Sequence, residues 1–155
     1  VPLEALEGKV VGVYFSAHWC PPCRQFTPLL CEAFRKRAPH GDFAVIFVSL
    51  DKTRQAFDEY FAAMAWDVAV DYGDAPARKQ ASDMFGVKSI PTLALYDQDG
   101  TFISTEGTQC LLRDQALANF PWRHAAGGDA KAAVRPPAPK FEEVDRDILQ
   151  LGSRS

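Results

Sequence analysis

Hydrophobic positions along the chain alternate between short continuous runs and stripes with helical spacing. Continuous β-prone runs lie at residues 10–15 and 43–50, as is typical of strands that are buried on both faces of a sheet. Apolar stripes at helical spacing follow them at residues 24–37 and 53–65. This alternation of strand and helix patterns predicts an α/β protein.

The second half of the chain carries shorter elements. The patterns predict an extended piece, a helix, a hairpin of two strands and a last helix, at residues 66–70, 75–85, 93–96 with 101–105, and 111–119. Asp97-Gln98-Asp99-Gly100 is the hairpin turn. The predicted fold class is an α/β sandwich of three layers. Its central mixed sheet is mostly parallel with an antiparallel hairpin at the edge, and helices flank the sheet.

A change of composition divides the chain in two. Residues 1–124 are predicted to form one domain, and residues 125–155 begin as a Pro- and Ala-rich linker. Further along the tail, Phe141, Val144, Ile148 and Leu151 recur at helical spacing between acidic residues. The tail therefore predicts either a short amphipathic helix that docks on the domain or on a partner, or an unstructured segment.

Composition narrows the class of partner. The 155 residues carry a net charge of −3, which favours neither nucleic acid nor an anionic membrane as a partner. No apolar run approaches the ~18 residues of a membrane span. Because the chain begins at Val1 rather than at a methionine, the sequence leaves open whether a leader precedes it.

The four cysteines are one close pair, Cys20 and Cys23, and two scattered thiols, Cys31 and Cys110. This usage fits redox chemistry in a reducing compartment better than a secreted disulfide scaffold. A structural zinc site is the alternative, but it needs two further ligands and no second close pair supplies them. Cys31 is expected in the core. Cys110 is expected to be a free thiol, with a regulatory or dimer-forming role as the alternative.

The chemistry is predicted in the segment Trp19-Cys20-Pro21-Pro22-Cys23, where a strand pattern ends and a helix begins. A helix N-terminus favours a thiolate, so Cys20 is the expected exposed nucleophile and Cys23 the more buried resolving thiol. Pro21 and Pro22 stiffen the turn between them. Trp19 is either a core aromatic or a partly exposed contact surface.

Further segments accompany this motif: Tyr14 to Ala17 before it, then Arg24 and Phe26-Thr27-Pro28, Tyr60-Phe61 with Met64 and Trp66, Ser89 to Leu93, and Phe120-Pro121-Trp122. In this combination the chain resembles thioredoxin-fold proteins of the tryparedoxin/nucleoredoxin branch, over about residues 8–123. The Cys-Pro-Pro-Cys motif alone would equally suit extracytoplasmic thioredoxin-like proteins of cytochrome maturation.

The resemblance implies that Cys20 is the nucleophile and Cys23 the resolving cysteine. It also implies a cis proline at Pro91, facing the pair, and an Ile90 backbone that pairs with a bound substrate. Local sequence alone would leave Pro91 trans, since only ~5–6% of X-Pro bonds in folded proteins are cis. Tyr14 stands where thioredoxins proper place a buried acid. The expected substrate-binding residues are Trp19, Pro21, Pro22, Ile90 and Pro91.

The resemblance implies a thiol–disulfide oxidoreductase of the cytoplasm or nucleus that reduces protein disulfides, a peroxidase among the candidate substrates. Its expected reductant is a low-molecular-weight dithiol such as trypanothione, or a thioredoxin-type donor. No cofactor or metal is expected beyond the Cys20–Cys23 redox pair. The alternatives are a redox-gated binding module of the nucleoredoxin kind and the extracytoplasmic cytochrome-maturation protein.

One departure from the family bears on the reductant. Tryparedoxins tend to carry arginines after the hairpin, where this chain has Ser104 to Cys110 with Glu106 among them. Cationic groups there would pair with the glutathionyl carboxylates of trypanothione. Their absence from this segment weakens the case for that particular dithiol.

Overall fold

A computed structural model describes residues 8–123 and 151–153 of the chain. Within these residues the elements in chain order are β1 (Val10–Ser16), α1 (Pro21–Arg37), β2 (Phe43–Ser49), α2 (Arg54–Ala62), β3 (Val68–Val70), α3 (Ala75–Met84), β4 (Thr92–Tyr96), β5 (Phe102–Ser104), α4 (Gly107–Arg113) and β6 (Leu151–Ser153). Most of them lie close to their predicted positions. No helix among the described residues is both long and apolar enough to cross a membrane.

The strands form one mixed sheet in the order β5-β4-β1-β2-β3-β6. Strands β1, β2 and β3 are parallel, and β4 and β5 form an antiparallel hairpin beside β1. The predicted mixed sheet with a hairpin at its edge is confirmed. The hairpin places β4 directly against β1, so the loop that precedes β4 lies next to the end of β1.

Helices cover both faces of the sheet, as the predicted three-layer sandwich requires. Side chains of α1, α2 and α4 share one core with alternate residues of β1 such as Tyr14. The intervening residues of β1, such as Phe15, pack on the other face with Ala77 and Ala81 of α3. Burial of β1 on both faces explains its continuous apolar run.

Helix α1 begins three residues before its predicted start, at Pro21. Cys20 is the N-cap, and Pro21 and Pro22 fill the first two helical positions, which need no backbone donor. The helix continues through Pro28 and ends with basic residues in its last turn, where they complement the helix dipole. The turn between the two cysteines is therefore also the start of the helix.

The prediction of a last helix over residues 111–119 is wrong in its bounds. Helix α4 spans Gly107–Arg113, and Asp114 ends it. The Asp114 carboxylate accepts hydrogen bonds from the backbone N–H groups of Ala118 and Asn119 and from the Trp122 indole. These hydrogen bonds stabilise a turn after Asp114, and the helix therefore ends there.

The tail is described only at β6, which pairs antiparallel with β3. Leu151, which the helical spacing had placed in an amphipathic helix, lies in this strand instead. Without β6, β3 would be an edge strand with unpaired backbone groups, and the pairing with β6 supplies their hydrogen-bond partners. The linker, the rest of the predicted tail helix and residues 1–7 lie outside the described residues.

The close approach of α4 to β4 gives a first prediction. A methyl group on Gly107 would lie 2.8 Å from the Leu93 carbonyl oxygen, a backbone atom that cannot move aside independently. We expect Gly107→Ala to reduce the free energy of unfolding by about 1–3 kcal/mol, measured by urea denaturation. Gly73→Ala is the control, because the nearest atom there is at 3.5 Å. Equal unfolding midpoints for the two variants would contradict the prediction.

Candidate active site

The two cysteines of the motif lie one helical turn apart, at the start of α1. Cys20 Sγ accepts a hydrogen bond from the Cys23 backbone N–H at 3.3 Å. A sulfur in this position receives both that N–H and the positive end of the helix dipole, and both stabilise a thiolate. Both cysteines are free thiols in this structure.

Burial separates the two sulfurs in the predicted order. Cys23 is fully buried, whereas Cys20 is 5% exposed. Cys20 is thus less open than the sequence suggested, because Ala17 and the partly buried Ile90 pack against it. Its neighbours Pro21 and Pro22 are exposed, so the sulfur lies just below an accessible rim.

Trp19 is a partly exposed aromatic residue rather than a core one. Its side chain is 52% exposed, and its Nε1–H donates to the Leu50 carbonyl at 3.0 Å. The Lys52 ammonium lies 5.6 Å from the centre of the ring, within range of a cation–π interaction. The hydrogen bond to Leu50 and the contact with Lys52 together fix the orientation of this exposed ring beside Cys20.

The loop before β4 completes the site from the other side. The Ile90–Pro91 peptide is cis, as the family resemblance implied and contrary to the expectation from local sequence. The Ile90 carbonyl lies 3.8 Å from Cys20 Sγ and can accept from its thiol. The pairing of β4 with β1 brings this loop to the cysteines across some seventy residues of sequence.

Behind Cys23 lies a buried cluster of hydroxyl groups. The Thr27 hydroxyl is 2.8 Å from the Tyr14 hydroxyl and 2.6 Å from that of Tyr60. The Tyr60 hydroxyl is in turn 2.7 Å from Ser16 Oγ, and the Thr27 hydroxyl donates to the Cys23 backbone carbonyl at 2.9 Å. The hydroxyl groups therefore form one chain of hydrogen bonds, which reaches the backbone of Cys23.

The surroundings of Cys23 keep its thiol group protonated at physiological pH. Burial, followed by the hydrogen bond with Cys20, raises the pKa of Cys23 to about 12. Hydrogen bonds with Ser16 and the Ala17 backbone act in the opposite direction. Burial also raises the pKa values of Tyr14 and Tyr60, so both remain neutral hydroxyls at physiological pH.

A buried carboxylate holds the loop that leads to Cys20. Asp51 accepts from the His18 backbone N–H and from the Ser49 hydroxyl, each at 2.7 Å. The His18 ring packs on Tyr60 with 5.5 Å between ring centres. His18 thus contributes a backbone anchor and an aromatic contact to the site.

The two remaining cysteines lie in the core on the α1 side of the sheet. Cys31 is buried there, as predicted, and Cys110 is a buried free thiol. Burial raises the pKa of each. Among the residues that the structure describes, no group of three or more His, Cys, Asp or Glu is placed to hold a metal ion.

Sequence reasoning did not assign Ser16, Thr27, Tyr60 or Asp51 to the site. A local signal existed for Thr27, which follows Cys23 by four residues and so shares its helix face. Ser16 is a polar residue at the end of a buried strand, and a buried hydroxyl group is expected to have a hydrogen-bond partner. Tyr60 and Asp51 come from other elements, and only the tertiary structure brings them to the cysteines.

Comparison with known proteins agrees with this geometry. Residues 8–102 match the family model described as thioredoxin-like. The chain is 45% identical to a nucleoredoxin from Danio rerio over 148 residues, which make up 95% of this chain and 32% of that protein. It therefore spans about a third of the length of the nucleoredoxins that it matches.

The match to tryparedoxins covers most of both proteins. The chain is 40% identical to a tryparedoxin from Trypanosoma brucei brucei over 123 residues, or 79% of this chain and 85% of that protein. The solved structure of tryparedoxin II complexed with glutathionylspermidine superposes with a TM-score of 0.74 at 37% identity, covering 79% of this chain and 85% of that one.

The contrast between the two thiols can be tested by alkylation. Burial is the largest cause of the raised Cys23 pKa and remains when Cys20 is replaced, so Cys23 still holds less thiolate at neutral pH than an ordinary thiol. We expect iodoacetamide to modify Cys20 in a Cys23→Ala variant at least about tenfold faster than Cys23 in a Cys20→Ala variant, by peptide mass spectrometry at pH 7. Comparable rates at the two sulfurs would contradict the assignment.

Proposed function

Because this chain belongs to the tryparedoxin/nucleoredoxin branch of the thioredoxin-like family, we propose that it is a thiol–disulfide oxidoreductase that reduces disulfides in other proteins. The observation that carries the proposal is the position of Cys20 Sγ. It lies between the Cys23 backbone N–H at the start of α1 and the Ile90 carbonyl before the cis proline. One sulfur is thus held at a helix N-terminus beside the loop that contains the cis proline.

The first step is attack by Cys20. Its thiolate forms a bond to one sulfur of the substrate disulfide, and the other substrate sulfur leaves as a thiolate that takes up a proton. The mixed disulfide joins Cys20 to the substrate. The exposed rim formed by Trp19, Pro21 and Pro22 would contact the substrate chain, and the Ile90 and Pro91 backbone would align it.

The second step is attack by Cys23. Its sulfur bonds to Cys20 Sγ and displaces the second substrate sulfur, so the substrate becomes a dithiol and the protein a Cys20–Cys23 disulfide. Two electrons pass from the protein to the substrate. The cycle as proposed uses the cysteine pair as its redox group and calls on no additional cofactor. An external reductant then restores the two thiols.

For that reductant we propose a low-molecular-weight dithiol. The support is the likeness to tryparedoxin II, whose solved structure is a complex with glutathionylspermidine. The segment at the start of α4 adjoins the site, because the Thr108 hydroxyl donates to the Pro91 carbonyl at 3.4 Å and Glu106 bridges to Leu93. Glu106 is exposed there, so its carboxylate repels the carboxylates of a glutathione-derived thiol.

A dithiol that must be returned to its reduced form after each cycle suits a reducing compartment. We therefore place the protein, as part of the same proposal, in the cytoplasm or the nucleus. Peroxidases are one candidate class of protein substrate.

Cysteine variants test the reaction. We expect Cys20→Ala to abolish the reduction of insulin disulfides, because no nucleophile remains. Cys23→Ala should accumulate a covalent mixed disulfide with the substrate, visible on non-reducing gels. Cys110→Ala is the matched control: it also removes a buried thiol, but one on α4 outside the site, and it should retain turnover. Turnover by Cys20→Ala at the rate of this control would refute the proposal.

Charge reversal tests the reductant. We expect Glu106→Arg to lower the KM for trypanothione by a factor of about three to ten, with Glu106→Gln intermediate, and the gain should shrink at high salt. Glu32→Arg makes the same charge change in the exposed outer half of α1, about 18 Å along the helix from Cys20, and serves as the control. A KM that responds equally to both reversals would show that Glu106 has no local role.

A further inference from the structure

The surface around Cys20 carries exposed positive charges on three segments that form the site: Arg24, Lys52 and Lys88. We propose that these three side chains, the cationic patch, select protein disulfides that are flanked by acidic residues. The inference rests on the proposed function and deepens it, because it names the class of protein substrate. The bond changes are those of the proposed cycle: the substrate disulfide gains the two electrons and two protons that Cys20 and Cys23 give up.

Lys52 is the member of the patch whose position is best defined. Its ammonium group lies 5.6 Å from the ring centre of Trp19, the residue before Cys20. The Trp19 ring is itself held by its hydrogen bond to the Leu50 carbonyl at 3.0 Å. A lysine that rests on a fixed ring loses less conformational freedom on binding a carboxylate than an unrestrained lysine does. Lys52 therefore offers a positive charge at a defined place beside the nucleophile.

The other two members are placed by their positions in the chain. Arg24 follows Cys23 directly in the first turn of α1, and its side chain is exposed. Lys88 is also exposed and comes two residues before Ile90, whose carbonyl lies 3.8 Å from Cys20 Sγ. The patch thus draws on α1, on the loop after β2 and on the loop before β4, the three segments that meet at the cysteines.

None of the three cations forms an ion pair with a described residue. Elsewhere on the helices, Lys36, Arg54 and Lys79 each pair with a carboxylate four residues away on the same helix. An ion pair reduces the charge that an approaching partner meets. The charge of the cationic patch is therefore available to a partner.

Arg78 adds a partly buried charge next to the loop that carries Lys52. Its guanidinium donates to the Ser49 carbonyl at 3.1 Å and to the Tyr72 carbonyl at 3.0 Å, and it forms no ion pair with a described residue. Backbone carbonyls carry no net charge, so Arg78 contributes to the positive potential on this side of the site.

The carboxylates at the same edge of the sheet do not cancel this potential. Asp51 is buried, and its two oxygens accept from a backbone N–H and a hydroxyl group. Asp71 and Asp74 follow β3, two strands away from β1, and each accepts from a backbone N–H. Glu106 is exposed beside β4, which lies on the opposite side of β1 from β2. Its repulsion directs an acidic residue towards Lys52.

The net charge of the chain sharpens the effect of the patch. The 155 residues together carry −3, so most of the surface does not attract an acidic partner. Attraction confined to the surroundings of the nucleophile brings such a partner to the site in a defined orientation. Because the proposed substrates are disulfides in proteins, the occupant that fits the patch is an acidic protein segment next to the substrate cysteine.

Model peptides test this selection. Three peptides share one sequence with an internal disulfide and differ only in the residues that flank the cysteines, which are Glu, Gln or Lys. The reduced full chain is mixed with each peptide, the reaction is quenched with acid, and chromatography gives the second-order rate constant of peptide reduction. No external reductant is present. Each rate is divided by that of dithiothreitol, an uncharged thiol, because flanking charges alter the intrinsic reactivity of a disulfide.

We expect the Glu peptide to react about five- to twentyfold faster than the Lys peptide at low ionic strength. This preference should shrink in ~0.5 M salt, where the Debye length is only a few ångströms. Lys52→Gln should lower the ratio of the two rates, and Lys52→Glu should bring it to about one or below. Lys52 variants are judged by this ratio, because a general loss of activity affects all three peptides equally.

Arg35→Glu is the matched control. It reverses another exposed cation without an ion pair, but in the last turn of α1, about 20 Å along the helix from Cys20. We expect the ratio for this variant to stay within about twofold of that for the unsubstituted protein. Circular dichroism of each variant establishes that it is folded.

Two results would overturn the inference. One is equal rates for the Glu and Lys peptides with the unsubstituted protein at low ionic strength. The other is a ratio that Lys52→Glu and Arg35→Glu change to the same extent, which would show that only the charge of the whole molecule matters. Reduction of the Gln peptide reports the proposed function separately, since that peptide needs no charge selection. If the Gln peptide were not reduced, the proposed function itself would fail.

Discussion

The double pairing of β1 is the constraint from which the site follows. This strand bonds to β2 on one side and to β4 on the other, and all seven of its residues are buried. Its last residue, Ser16, is held in register with Ser49, and the Ser16 carbonyl accepts from the Leu50 N–H at 2.9 Å. The chain that leaves β1 therefore has a fixed origin, and the cysteine turn starts there. The loops after β2 and before β4 arrive at the same edge.

Two similar thiols acquire different properties because they lie at different depths in the first turn of α1. Cys20 lies just below the rim, where its sulfur accepts from a backbone N–H at the positive end of the helix dipole. Cys23 points into the protein, where burial disfavours charge and hydroxyl groups replace water. In the proposed cycle Cys20 attacks first, and Cys23 stays protonated until the mixed disulfide has formed.

Much of the fold could be predicted because its elements have strong local signals. Strand β1 is a continuous apolar run, and α1 carries a stripe at helical spacing. Helix α4 was misplaced because its bounds depend on contacts from elsewhere. Gly107 allows the chain to lie against Leu93 of β4, and Asp114 ends the helix by binding groups further along the chain. Strand β6 depends on the open edge of β3, which no local pattern reveals.

The sequence by itself determined the redox pair, since spacing and a helix start are local properties of the segment around Cys20 and Cys23. It also determined, through resemblance, that a loop with a cis proline belongs to the site. Only the tertiary structure decided that Trp19 is exposed and that Cys20 lies below the rim. It alone joined Tyr60 of α2 to Ser16 of β1. Hydrogen bonds between hydroxyls on separate elements depend on distances of a few tenths of an ångström, which packing sets and sequence spacing does not.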